Sequence, residues 1–172
     1  MEYGLLTPIE DNEVNETSFN GAEFFINFIN KLEGYKTKCK NLHWAAPKKN
    51  IHVYLDDFLE KVEDFQDILA EGYMGILGKM QPNVIKGVPS DALNAMDFIE
   101  EVRSNTLAFY DKIPQETIYV GIKSECETFI QEVNQYKYLL ACVILDLTNS
   151  LVVQLGRHNR LKPCTSEGST PS

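Results

Sequence analysis

Five side chains have the types and the spacing that a metal site would need. They are His43, His52, Asp56, Asp67 and Glu71. Mixed imidazole and carboxylate ligation suits Fe(II), Zn or Mn, and Fe(II) is favoured where redox chemistry occurs. If the last four lie on one helix, they fall at about 0°, 40°, 60° and 100° around its axis, whereas the apolar residues of that helix centre near about 270°. The four therefore form a stripe that points away from the core of their own subunit.

The rise of a helix decides how this stripe could bind an ion. His52 and Asp67 are fifteen residues apart, which is about 22 Å along a helix at about 1.5 Å per residue. Metal–ligand bonds are only about 2 Å long, so these two residues of one chain cannot hold the same ion. If the helix packs antiparallel against its own copy about a two-fold axis, His52 and Asp56 face Asp67 and Glu71 of the other chain. The pattern predicts a homodimer contact with two equivalent sites.

The same residues also have ordinary explanations. A histidine before a tryptophan at a helix end is often only packed, and acidic residues on a helix are usually just solvated. A di-iron centre within one subunit is not expected, because it needs Glu-x-x-His pairs and here Lys40 and Lys49 stand three residues before the histidines. We expect Trp44 to pack in the core or beside the site, and Cys39 to be either a soft extra ligand or a buried thiol.

Helical periodicity indicates the elements that position these residues. Asn20 with Glu23 resembles a capping box, Phe19 with Phe24 a hydrophobic staple, and Pro47 ends this first helix near Ala46. The pattern predicts further helices over about 51–77, about 90–110 with Ser90 as N-cap, and about 122–155 with Gly156 closing the last one.

Apolar stripes predict which face of each helix is buried. The inward positions are Phe25, Phe28, Ile29, Leu32, Tyr35, Cys39 and Leu42; Leu55, Phe58, Val62, Phe65, Leu69 and Tyr73; Ala92, Met96, Ile99, Val102 and Phe109; and Cys126, Phe129, Val133, Tyr136, Leu140, Val143 and Leu147. With a long connection over 79–89 and no convincing strand, the fold class is an all-α four-helix bundle over 18–156. An acidic arm precedes it over 1–17, and a polar tail follows over 157–172.

Composition narrows the function classes. The net charge of −9 disfavours a general nucleic-acid binder, which needs clustered Lys and Arg. The chain shows no signal peptide and no membrane-spanning run, so we expect it inside a cell. Its four scattered cysteines are expected to be buried thiols rather than a disulfide framework.

The stretch Asn41-Leu-His-Trp44, then His52 and Asp56, then Asp67-Ile-Leu-Ala-Glu71 resembles the ferroxidase signature of the Dps (DNA protection during starvation) family. The resemblance covers about residues 20–150 in helix order, with its specific motif in 41–78. It implies a ferritin-like bundle, assembly up to a dodecameric cage, and inter-subunit iron ligands at His43, His52, Asp56, Asp67 and Glu71. Its activity would be Fe(II) oxidation with iron storage and peroxide detoxification.

Two departures qualify what the resemblance implies. The interval from His43 to His52 is nine residues, shorter than in typical members and similar to a short-loop Dps-like branch of bacteriophages and gut bacteria. The N-terminal arm is acidic where some members have a basic DNA-binding tail, so direct DNA binding is not expected. The rival hypotheses are a non-catalytic structural or interaction protein, such as a phage virion or assembly component, and a metal-binding dimer that forms no cage. The predicted location is cytoplasmic, or the virion if the gene is viral.

Overall fold

A computed structural model describes the backbone of residues 20–158, with side chains over 20–146 and at Thr148. Its helices are α1 (Gly21–Ala45), α2 (Lys49–Leu77), α3 (Ala95–Lys112) and α4 (Val120–His158), with a 3-10 turn at Thr117–Tyr119. This part of the chain contains no strand, and the predicted all-α four-helix bundle is confirmed. The arm predicted over 1–17 lies outside the described residues, as does all of the tail except its first two positions.

The start of α1 follows the predicted capping box. The Asn20 side chain accepts a hydrogen bond from the Glu23 backbone N–H at 3.3 Å. The Glu23 carboxylate accepts one from the Asn20 side-chain amide at 3.1 Å, instead of from the backbone N–H that a capping box uses. Phe19, the other half of the predicted staple, lies outside the described residues. Ala46 is extended at the end of α1, as a residue before proline favours.

The predicted start of α3 at Ser90 is wrong. Asn94 is the N-cap, and its side-chain oxygen accepts hydrogen bonds from the Met96 and Asp97 N–H groups at 3.0 Å each. The Ser90 hydroxyl instead donates to the Glu101 carboxylate at 2.6 Å and accepts from the Ala92 N–H. Ser90 therefore fixes the connection before the helix, and the buried Ala92 belongs to that connection.

Replacing Asn94 by alanine should destabilise the protein by about 1 kcal/mol, because two N–H groups of the first turn lose their acceptor. Chemical denaturation measures the loss, and hydrogen exchange should show faster exchange at the Met96 and Asp97 amides. Ser90→Ala is the control, since it removes a polar contact but leaves the cap. Faster exchange of those two amides in Ser90→Ala than in Asn94→Ala would contradict this assignment.

Other helix ends differ from the predictions by a turn or less. α2 begins two residues early, at Lys49, and α3 ends at Lys112 before Pro114. α4 is longer than predicted at both ends, and Gly156 lies inside it instead of closing it. A glycine inside a helix costs only about 1 kcal/mol relative to alanine, so it need not end one.

The helices form a ring in which α1 packs on α2, α2 and α3 pack on α4, and α3 contacts α1. Phe24 near the start of α1 stacks on Phe109 near the end of α3, so α1 and α3 are antiparallel. Ile122 at the start of α4 lies against Gly72 near the end of α2, which makes α2 and α4 antiparallel too. Because α1 and α2 form a hairpin, the connection over 78–94 must carry the chain from one end of the bundle to the other.

The predicted apolar stripes form the core. Phe65 stacks on Phe129 with ring centroids 4.2 Å apart, and Phe58 meets Phe98 edge to face. Of the predicted positions, Leu42, Met96 and Tyr136 are half-buried, and the Leu147 side chain lies outside the description. No described helix combines the length and the apolar composition needed to cross a membrane.

Candidate metal centre

The two histidines lie against each other where α1 passes into α2. His43 is in the last turn of α1 and His52 in the first turn of α2, with only residues 46–48 between the helices. Their ring centroids are 3.6 Å apart and the planes are inclined by 29°. His43 is buried, whereas His52 is exposed. The short interval that departs from typical Dps sequences therefore still brings the two rings into contact.

A reciprocal pair of hydrogen bonds fixes both rings. His43 Nδ1 lies 3.0 Å from the His52 carbonyl oxygen, and His52 Nδ1 lies 3.0 Å from the His43 carbonyl oxygen. A carbonyl oxygen has no hydrogen to give, so each Nδ1 must be the donor. In the neutral rings this leaves the lone pair on each Nε2. An imidazole whose other nitrogen donates to a backbone carbonyl is the form in which histidine usually binds metals.

Asp56 joins the histidines from the next turn of α2. Its Oδ1 is 3.6 Å from His43 Nδ1 and 3.3 Å from Lys40 Nζ. The carboxylate is more than half exposed, so it can turn toward another cation. In this structure the Lys40 ammonium is the nearest charge partner of Asp56.

Lys40 was not among the residues predicted for the site. In the sequence it served only to argue against a Glu-x-x-His pair, although it carried a usable signal. Residues three apart share one face of a helix, so Lys40 had to lie beside His43, and its ammonium reaches Asp56 across the helix pair.

Asp67 and Glu71 lie elsewhere on α2. Both are exposed, and within the described side chains neither has an ion-pair partner. Asp67 is four turns from His52, about 22 Å along the axis. One chain thus brings together His43, His52 and Asp56 but not the other pair, and residues 20–146 contain no group of three side chains that could hold a metal ion.

The predictions for Trp44 and Cys39, two neighbours of the histidines, had different outcomes. Trp44 is 69% exposed, so the expectation that it packs in the core is wrong, whereas a place beside the site stays a prediction. The alternative of a buried thiol holds for Cys39, whose Sγ–H donates to the Leu55 carbonyl oxygen at 3.1 Å. Burial, with the Asp56 charge adding to it, raises the pKa of Cys39 to about 12. Because the thiolate is the form that binds metals, this buried, hydrogen-bonded thiol is disfavoured as a ligand.

The other described cysteines also carry free thiols. Cys126 is fully buried, and desolvation raises its pKa to about 12. Cys142 is half-buried and unpaired with another sulfur. Cys164 lies outside the described residues. The expectation of thiols in place of a disulfide framework is therefore confirmed for Cys39, Cys126 and Cys142.

Comparison with known proteins found no family model, no curated protein and no solved structure that matches this chain. The geometry of the histidine pair and of α2 is therefore the basis for inferring the function.

Proposed function

We propose that this chain is a ferritin-like, Dps-type protein that binds Fe(II) as a substrate at the contact of two copies and oxidises it there. The observation that carries the proposal is the reciprocal histidine pair. The two imidazoles are in contact, and fixing each Nδ1–H on a carbonyl oxygen leaves the lone pair of each neutral ring on Nε2. Such a pair has the tautomers that a metal site requires.

The arrangement of the helices supports the ferritin-like part of the proposal. Ferritin-like bundles differ from simple up-and-down bundles by one long crossover connection. Here the residues between Leu77 and Ala95 span the bundle from end to end, and α2 and α3 run in the same direction.

The outer face of α2 supports the two-chain part. Asp67 and Glu71 are exposed and have no ion-pair partner among the described residues, and an antiparallel copy of α2 would bring them to His52 and Asp56. Each of two equivalent sites would then take His43, His52 and Asp56 from one chain and Asp67 and Glu71 from the other. Larger assembly, up to a dodecameric cage, would build on this dimer.

The proposed reaction is a balanced electron transfer from iron to an oxidant. Two ferrous ions each lose one electron, and these electrons with two protons break the O–O bond of one hydrogen peroxide to give two water molecules. Dioxygen is the alternative oxidant. The ferric product would hydrolyse and be stored as mineral if a cage forms. Zn(II) and Mn(II) suit the same ligands and would occupy the site without this reaction.

The Lys40–Asp56 ion pair is the observation that favours the rival, non-catalytic function. With Lys40 in place, the carboxylate is neutralised without a metal, and the histidine pair satisfies its own Nδ1 groups. A structural protein that keeps this bundle, for example a virion component, could use the pair only to fix the α1–α2 corner.

Replacing Lys40 by methionine should therefore raise the affinity for Fe(II) by up to about fivefold, the effect of removing a partly exposed ion pair that competes for Asp56. Anaerobic titration with Fe(II) measures the change. Lys36→Met is the matched control, because Lys36 pairs with Glu33 at 2.7 Å, away from the histidines. Weaker binding in Lys40→Met than in the control would show that Lys40 does not compete with the metal.

Anaerobic Fe(II) titration of the wild type, followed by addition of peroxide, tests the function itself. We expect saturable binding with one iron-binding region per subunit, rapid oxidation on adding peroxide, and loss of both in the double variant His52→Ala/Asp67→Ala. The exposed pair Asp57→Ala/Asp64→Ala on the same helix is the control and should behave as wild type. Absence of Fe(II) binding by the wild type, or equal binding by both double variants, would refute the proposal.

A further inference from the structure

A surface groove between α1 and α3 has a composition that complements the N-terminal segment of the chain. The groove has a volume of about 310 Å³ and includes Phe24, Phe28 and Phe109 with Lys31 and Lys112. Phe109 stacks on both phenylalanines of α1, with centroids 4.7 Å and 4.1 Å away. The half-buried Phe24 and the buried Phe28 and Phe109 form an aromatic wall in this groove. With an ammonium group toward each end, this wall is suited to a peptide that carries both apolar and acidic residues.

The two lysines of the groove are available to an acidic partner. Lys31 donates to the neutral Asn105 side chain at 2.8 Å instead of to a carboxylate. Lys112 is exposed in the last turn of α3 and has no ion-pair partner among the described side chains. Along the chain, the acidic residues nearest to these lysines are Glu33 and Asp111, and Glu33 already pairs with Lys36 at 2.7 Å.

We propose that the groove between α1 and α3 binds residues 1–19 of the same chain. This segment has no Lys or Arg and carries Glu2, Glu10, Asp11, Glu13 and Glu16, interspersed with the apolar residues Tyr3, Leu5, Leu6, Ile9 and Val14. Its side chains are thus of the two kinds that the aromatic wall and the lysines would bind. The acidic character that argues against DNA binding would serve instead to place the segment on its own bundle.

The point at which the segment joins the bundle makes this contact short and intramolecular. It enters at Asn20, one turn before Phe24 of the groove. Lys31 lies eleven residues further along α1, about 16 Å along the axis. An extended chain covers about 3.3 Å per residue, so Glu13, seven residues before Asn20, can fold back as far as Lys31. Glu16 lies within reach of the nearer Lys112.

Zero-length carbodiimide cross-linking of the full chain, mapped by peptide mass spectrometry, tests this contact because it joins only amines and carboxylates that touch. We expect links from Lys31 or Lys112 to Glu10, Asp11, Glu13 or Glu16, at least about fivefold more abundant than links from Lys79 and Lys123. Lys79 and Lys123 are the matched controls because they lie at the same end of the bundle as the groove. Lys79 follows the end of α2 and Lys123 follows Ile122, which meets Gly72 of α2 there. Mixing with isotope-labelled protein distinguishes the chains, and the links should join residues of one chain.

A second measurement does not depend on the lysine amines. Limited chymotrypsin digestion of the full chain should cut within residues 1–19 about fivefold faster in Lys31→Glu/Lys112→Glu than in the wild type. Lys79→Glu/Lys123→Glu makes the same charge change outside the groove and should leave the rate unchanged. Equal cutting rates in both variants, links spread evenly over all four lysines, or links only between different chains would each overturn the proposal.

Discussion

Replacing Gly34 by alanine is expected to destabilise the protein by roughly 2–4 kcal/mol, the net value of the several hydrogen bonds that must break. A Cβ at this position would lie 1.6 Å from the Val88 carbonyl oxygen and 2.5 Å from its carbon. The obstacle is backbone, so no side-chain rotation can relieve it. Either α1 or the connection that crosses it must move by about 2 Å to reach ordinary contact distance.

The connection cannot move freely, because Asn30 holds it one turn earlier on α1. The Asn30 side-chain oxygen accepts from the Lys86 and Gly87 N–H groups at 2.7 Å and 3.2 Å. Its amide donates to the Val84 carbonyl oxygen, and its backbone oxygen accepts from Val88. Displacing Val88 therefore breaks several of these bonds together. The Asn30 and Gly34 contacts fix the segment that carries the chain to the start of α3.

Chemical denaturation of Gly34→Ala measures the effect, with Gly75→Ala as the control. Gly75 is also helical, but nothing lies within 4 Å of its added Cβ. Alanine is the better helix former, so the control should be as stable as the wild type or up to about 1 kcal/mol more stable. Equal stability of the two variants would mean that the connection does not lie against α1 at Gly34.

Gly34 also illustrates the limit of what sequence patterns predict about this fold. The Asn20 N-cap and the apolar stripes depend on residues three or four apart, and the sequence predicted the cap and most positions of the stripes correctly. The need for glycine at Gly34 comes from Val88, 54 positions away, and no local pattern encodes it. Ser90 and Asn94 are both good N-caps. In the structure Asn94 caps α3, whereas Ser90 contacts Glu101, eleven residues away.

The candidate site also has features that the sequence predicted and features that it could not predict. The sequence identified His43, His52 and Asp56 by type and spacing, and the structure brings them together. The reciprocal Nδ1–carbonyl bonds were not predictable, because they depend on how tightly residues 46–48 turn the chain. The inter-subunit arrangement with Asp67 and Glu71 remains a prediction from helix rise, and it implies an unusual behaviour of mixed variants.

An equimolar mixture of His52→Ala and Asp67→Ala chains should recover Fe(II) binding that each variant lacks alone. In a two-fold contact each site takes His52 from one chain and Asp67 from the other. A homodimer of either variant then has no complete site. A mixed dimer has one site with both residues and one with neither, so random exchange of chains, which makes half of the dimers mixed, restores about a quarter of the wild-type sites.

The matched control separates exchange between chains from simple dilution. A mixture of wild type with the double variant His52→Ala/Asp67→Ala contains the same mutations in the same number, but each site of its mixed dimer lacks one residue. Before exchange, the wild-type half of this mixture supplies about half of the wild-type number of sites. After exchange, only the wild-type homodimers bind Fe(II), and they supply about a quarter of that number. The Fe(II) bound, measured by titration before and after exchange, should therefore rise from none to a quarter of the wild-type amount in the first mixture. In the second mixture it should fall from a half to a quarter.

This opposite change follows from the two-fold contact and from no arrangement within one chain. If all the ligands came from a single subunit, exchange would leave both mixtures as they began.

The same antiparallel register places Glu60 of one chain opposite Glu63 of its partner, and both are exposed on the face of α2 that carries Asp56. Like charges facing each other weaken a contact, so divalent cations should strengthen the dimer that they join. A rise in the dimer fraction on adding Fe(II) anaerobically, measured by light scattering, would link iron binding to assembly. An unchanged dimer fraction would show that α2 pairs independently of metal.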